Sequence, residues 1–164
     1  KTKWALLALV VVLLLANMII NKKGMDLIKE FEGFRTHAYQ DSAGVWTIGY
    51  GHTKGVTENM EITQEEAEKM LEDELVDYCN YVDKYVEVPL EQHHFDSLVS
   101  WVYNLGPTNL KSSTLLKVLN DKDYEGVPAQ IKRWNKANGV VKEGLIRRRE
   151  AEALMFENKK WYEV

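Results

Sequence analysis

From Trp4 to Ile20 the chain reads WALLALVVVLLLANMII, with Asn17 as its one strongly polar side chain, Lys1 and Lys3 before the run and Lys22 and Lys23 after it. Wound as a helix the run is about 26 Å long, close to the ~30 Å thickness of a bilayer's hydrocarbon core. A helix packed on a soluble core would show a polar face at the helical period, and this one has none. The run is therefore expected to be an N-terminal hydrophobic anchor helix, making one unit of residues 1–23 and leaving 24–164 as the other. A cleavable leader shares the basic start and apolar middle. The small-x-small cleavage pattern is missing, however, because Leu14 stands two positions before Ala16. An uncleaved anchor is the expectation, and lysines at both ends leave its orientation to be decided by function.

The remaining length suits one compact domain with a real core and not two independent ones. Twenty-one Lys and Arg against 25 Asp and Glu leave a net charge of -4, which lacks the electrostatic footprint of a nucleic-acid binder. Lys132, Arg133, Lys136, Lys142, Arg147, Arg148 and Arg149 do crowd together near the C-terminus. Such a patch faces an anionic polymer or is simply a solvated helix face, and composition alone does not choose. Cys79 is the single cysteine, so no disulfide forms within one molecule, and a lone thiol of this kind is expected to be a small buried hydrophobe.

Met25, Leu27, Ile28 and Phe31 mark a short amphipathic helix that begins near Asn21 and ends at Glu32–Gly33. From Arg35 to Thr57 aromatic and β-branched residues alternate with Gly44, Gly49, Gly51 and Gly55, which predicts short strands and tight turns. Thr63 and Glu66 form a capping box that opens a helix running to about Val82. A second helical segment follows Pro89 and closes between Asn104 and Pro107. Leu115–Leu119, Ala129–Trp134 and Leu145–Phe156 are three more, with Asn138–Gly139 as a turn before the last. The expected fold class is α+β, a small β-containing lobe followed by a larger helical lobe.

Chemistry concentrates in FEGFRTHAYQDSAGVWTIGYGH, Phe31 to His52. Glu32 closes a helix, Asp41 lies in a glycine-containing turn, and Thr47 starts a β-like run. Cleaving a glycosidic bond needs a proton for the leaving oxygen and a carboxylate that steers a water on the other side of the sugar. Two carboxylates on separate elements can face each other across a groove, as two on one helix face cannot. Phe31 and Phe34 flank Glu32, and burial against them would keep it protonated, as a general acid requires. Asp41, beside Gln40 and Ser42, is expected to stay ionised, with the Thr47 hydroxyl holding the water from a second direction.

This stretch resembles the phage-type lysozymes, the group of the T-even phage lysozyme, whose signature is a catalytic Glu, Asp and Thr at the spacing of Glu32, Asp41 and Thr47, followed by TIGxGH. The segment Thr47-Ile-Gly-Tyr-Gly-His52 matches it in full. WVYNLGPTNLKSSTLLKVL, from Trp101, resembles the family's far cleft wall, with Asn104, Gly106 and Thr114 in the expected places. GLIRRREAE, from Gly144, resembles its C-terminal helix, which carries an arginine to the catalytic glutamate; Arg148 is the choice, with Arg147 and Arg149 as neighbouring registers. The resemblance implies a lysozyme-like fold, substrate binding by Tyr103, Asn104, Thr114 and Arg148, a structural role for His52, no cofactor and a monomer. No metal is expected either, because His93 and His94 are adjacent on a helix and point different ways.

The implied activity is an endolysin that hydrolyses the β-1,4 bond between N-acetylmuramic acid and N-acetylglucosamine in peptidoglycan. The anchor further resembles that of the signal-anchor-release endolysins, which implies export by the host secretion machinery, tethering to the inner membrane facing the periplasm, and later release into the periplasm. The segment departs from that group in having no glycine and no cysteine. Two alternatives stand beside hydrolysis: a membrane-tethered peptidoglycan-binding protein without activity, and a lytic transglycosylase, which keeps the acid but does not need Asp41.

Overall fold

The computed structural model describes residues 17–164. The expected anchor, Trp4 to Ile20, lies outside the described residues except for its last four, and among the described residues no helix is long and apolar enough to cross a membrane. Those last four residues are not helical. Met18 and Ile20 pack against the core, while Ile19 is exposed and its carbonyl accepts from Gln92 Nε2 at 2.8 Å.

Helix α1, Lys22–Glu32, starts at Asn21, whose side chain accepts from Gly24 N, and stops at Gly33, where φ is +70°. Strands β1, Arg35–Gln40, and β2, Trp46–Gly49, form an antiparallel hairpin in the register Tyr39↔Thr47 and Gln40↔Trp46. Helix α2, Gln64–Tyr85, opens on the expected capping box: Thr63 Oγ1 accepts from Glu66 N at 3.1 Å, and the Glu66 carboxylate accepts from Thr63 N at 2.8 Å. Then come α3, Gln92–Leu105, α4, Pro107–Ser112, α5, Thr114–Asn120, and α6, Val127–Lys132. A second small hairpin, β3, Lys136–Ala137, with β4, Val140–Val141, leads into α7, Glu143–Phe156. The architecture is α+β, a mostly helical body with small sheets.

Helix α3 is the axle of the body. Every residue from Phe95 to Val102 is buried, so the helix is surrounded rather than laid on a surface. Its carboxylate and hydroxyls have partners: Asp96 accepts from Asn21 N and Gln92 Nε2, and Ser97 Oγ donates to the Glu152 carbonyl at 2.6 Å. Around it pack Ile28 of α1, Leu71, Leu75, Cys79 and Val82 of α2, Leu115 and Leu119 of α5, and Ala153 and Phe156 of α7. A smaller cluster of Leu27, Ala151 and Met155, edged by Phe31 and Trp161, closes α1 onto α7. Two helices far apart in sequence are thereby clamped together, which matters because α1 ends in Glu32.

Candidate active site

Glu32 lines an open cavity of about 390 Å³ whose other walls are Gly51, Thr53 and Lys54 after the first hairpin, Glu74, Asp77 and Tyr78 of α2, and Tyr103 and Asn104 at the end of α3. One Glu32 oxygen accepts from Arg148 Nη1 at 2.8 Å. The other lies against Gly51, where an added Cβ would stand 2.9 Å from it. Three elements thus fix the carboxylate: α1 supplies it, α7 grips it and the turn after β2 confines it.

The register left open by three consecutive arginines is settled: Arg148 reaches Glu32, Arg149 turns to Glu152 at 2.7 Å, and Arg147 lies over the Phe31 ring. Arg148 and Arg149 are buried, so the basic stretch near the C-terminus is not a single solvated or polymer-binding face. The surroundings expected of Glu32 also need correcting. Phe31 packs with Leu27, Ala151 and Met155, and Phe34 meets the Tyr50 ring at 5.3 Å, so the two phenylalanines flanking Glu32 in sequence serve the core on either side of it. Neighbours in sequence at a helix end diverge in space, and the groups on the carboxylate are a guanidinium and a glycine backbone.

Asp41 and Thr47 sit at the tip of the first hairpin. Asp41 Oδ1 accepts from Ala43 N at 2.8 Å and Val45 N at 2.9 Å, which pins the turn and leaves Oδ2 without a partner among the described residues. Thr47 is nearly buried, and its hydroxyl donates to the Val45 carbonyl at 3.0 Å. Both side chains are therefore oriented through Val45. Neither is among the residues that line the cavity around Glu32, and neither is Thr114, the exposed first residue of α5. Tyr103, Asn104 and Glu32 are brought together there.

The Tyr103 hydroxyl has two acceptors within reach of its single proton, Glu74 Oε2 at 3.3 Å and the Tyr50 carbonyl at 3.2 Å. Burial, with the Glu32 charge adding to it, pushes its hydroxyl well above the usual phenol range. It stays a donor. Tyr78 is shifted the same way, by burial and then by Tyr81. Glu74 also accepts from His52 Nδ1, so His52 ties the turn after β2 to α2, as the resemblance implies. Glu74, Asp77 and Tyr78 escaped the reading of the sequence, although three residues at i, i+3 and i+4 share one helix face.

His93 and His94 also correct an expectation. Their rings are 4.1 Å apart, and with Glu91 they bring potential ligand atoms within 4.8 Å of one another. Those atoms already have partners: His93 bonds the Phe156 carbonyl at 2.8 Å and Glu91 at 2.7 Å, and His94 Nδ1 accepts from Glu91 N at 3.1 Å. The cluster is a helix cap that ties α3 to the end of α7.

A family model described as Phage lysozyme matches residues 29–152. The chain is 43% identical over 145 residues to an endolysin of Acyrthosiphon pisum secondary endosymbiont phage 1, covering 86% of this chain and 99% of that protein. It is also 43% identical to an endolysin of Bacillus phage B103, over 85% of this chain but only 54% of that longer protein. A SAR-endolysin of Bacteriophage PS119 is 36% identical over 74% of this chain and 73% of its own length. Among solved structures, an endolysin from Escherichia coli O157:H7 phage FAHEc1 superposes with a TM-score of 0.81 at 39% identity, over 86% of this chain and 94% of that one. The muramidase domain of SpmX from Asticaccaulis excentricus does so at 0.80 and 36%, over 84% of this chain and 97% of that one.

Proposed function

The chain belongs to the phage lysozyme family, and from that premise we propose that it is an endolysin which hydrolyses the β-1,4 bond between N-acetylmuramic acid and N-acetylglucosamine in peptidoglycan. The observation that carries this reading is the Glu32 carboxylate, gripped by Arg148 at the wall of an open cavity that has room for a sugar. In the proposed chemistry Glu32 gives its proton to the glycosidic oxygen as that bond breaks. Asp41, oriented by two backbone amides, steers a water onto the sugar carbon and takes the proton that the water loses, with the Thr47 oxygen as a second hold on that water. Tyr103 and Asn104 bind the substrate from the α3 side of the cavity.

The test is clearing of permeabilised Gram-negative cells by the full chain. Glu32→Gln is expected to lower the clearing rate at least about a hundredfold, since a general acid contributes on the order of 10²–10⁴. Asp41→Asn is expected to do the same, and the product should carry a reducing end by mass spectrometry. No clearing by the wild type, or full clearing by Glu32→Gln, would remove the reading. An anhydro sugar would make the enzyme a transglycosylase.

The SAR-endolysin relatives, together with the apolar run Trp4 to Ile20, support a tether. We propose that residues 1–23 hold the domain at the host inner membrane on its periplasmic side after export by the secretion machinery, and that release then frees it into the periplasm. Fractionation of expressed protein should place it in the membrane pool while the membrane is energised and shift part of it to the soluble periplasmic pool once the potential is collapsed. A chain found only in the cytoplasm would refute this.

A further inference from the structure

Arg148 does not grip Glu32 unaided. Its Nε donates to Glu152 Oε1 at 3.2 Å and its Nη2 to the Ser100 carbonyl at 3.4 Å, while Nη1 is left for Glu32 at 2.8 Å. The same Glu152 oxygen accepts from Arg149 Nη2 at 2.7 Å and from Ser100 Oγ at 3.2 Å. Side-chain exposure falls along this line, from 21% at Glu32 to 5% at Arg148, 1% at Arg149 and 0% at Glu152. Two guanidinium groups and two carboxylates thus balance, with one carboxylate sealed in the core and the other open to the cavity.

A buried carboxylate with several donors has one available orientation, and it transmits that orientation to what it binds. Nothing in the substrate's path touches Glu152, so its effect on the reaction must pass through Arg148. We propose that Glu152 is the positioning residue of the cleft: it fixes the Arg148 guanidinium so that a single N–H is aimed at Glu32, and it absorbs the charge of Arg149 that would otherwise compete for the acid. The proposal rests on the reading of Glu32 as the proton donor. The charged and titratable groups around that acid are Arg148, Arg149 and Glu152 from α7, Tyr103 from α3, Glu74, Asp77 and Tyr78 from α2, and Lys54 after the first hairpin.

Withdrawing the Glu152 charge leaves two arginines facing one carboxylate. The cleft then carries added positive charge, and the Arg148 guanidinium loses the acceptor that fixes it. The experiment is kcat, KM and the pH profile of the full chain on peptidoglycan. Glu152→Gln is expected to lower kcat at least about tenfold with KM within about twofold, and to move the alkaline limb of the profile down by roughly half a pH unit or more, as loss of a transition-state interaction requires. Glu152→Asp, which keeps the charge, should restore part of both.

If Glu152→Gln does not fold, the double variant Glu152→Leu with Arg149→Met leaves neither of these charges buried without its partner and is expected to fold. It should show the same loss of kcat with KM unchanged. A folded variant of either kind with the wild-type kcat and pH limb would overturn the proposal and leave the reading of Glu32 intact. An inactive wild type, or an active Glu32→Gln, would overturn that reading and this proposal with it.

Discussion

Gly51 shows how narrow the tolerance around the proton donor is. Its φ is +84°, a region that L side chains enter at a cost of about 1–2 kcal/mol, and an added Cβ would meet Glu32 Oε2 at 2.9 Å. Gly51→Ala should therefore lower the melting temperature and cut the clearing rate at least about tenfold, because a misplacement of about 1 Å is costly to catalysis. A variant with reduced stability but undiminished turnover per folded molecule would show that the carboxylate can shift freely. Glu32 and Arg148 were legible in the sequence because the resemblance covered both, at the end of one helix and on the face of another. Glu74 and Asp77 were not, since acidic side chains repeating on a helix look the same whether they face solvent or a cavity.

The helices announced themselves where their ends carry local chemistry. Thr63 with Glu66 marked the start of α2, Asn21 and Gly33 bracket α1, and Ser113 caps α5 by accepting from Leu116 N. Helix α4 went unread because its six residues expose too little periodicity to stand out from a turn. The second hairpin was read only as a turn: Asn138 and Gly139 both have positive φ, which fits a two-residue loop, but its paired residues are all exposed and show no alternation. Gly24 offers a test of α1 as an element. Alanine there would gain up to about 1 kcal/mol of helix propensity. Its Cβ, however, would meet Ile20 Cγ1 at 2.6 Å and Asp96 Cβ at 2.8 Å. The Asp96 atom is held next to the α3 backbone and cannot rotate away, so overpacking of about 1–3 kcal/mol wins. Gly24→Ala should lower the melting temperature by several degrees, and an unchanged or raised one would mean that α1 can slide on α3.

For the molecule as a whole, the cap where α3 meets α7 contributes a pH-dependent part of the stability through His94. Burial, reinforced by His93, pulls the His94 pKa below its ordinary 6.5, while Glu91 opposes the shift. The unfolded chain takes up that proton first as pH falls, so this contribution to stability is complete above about pH 6.5 and is lost as pH drops through the folded value. His94→Gln keeps a side chain that can accept from Glu91 N. It should flatten the fall in melting temperature between about pH 7 and about pH 5 relative to wild type. A variant that is as acid-sensitive as the wild type would place the titration elsewhere.

The Arg148 to Glu32 contact joins positions 116 residues apart, and its arginine comes from the last long helix of the chain. During synthesis the ribosome must therefore deliver α7 before the proton donor acquires its grip. A copy ended by a stop codon ahead of residue 143 lacks that arginine and is expected to clear no cells, which the turbidity assay would check.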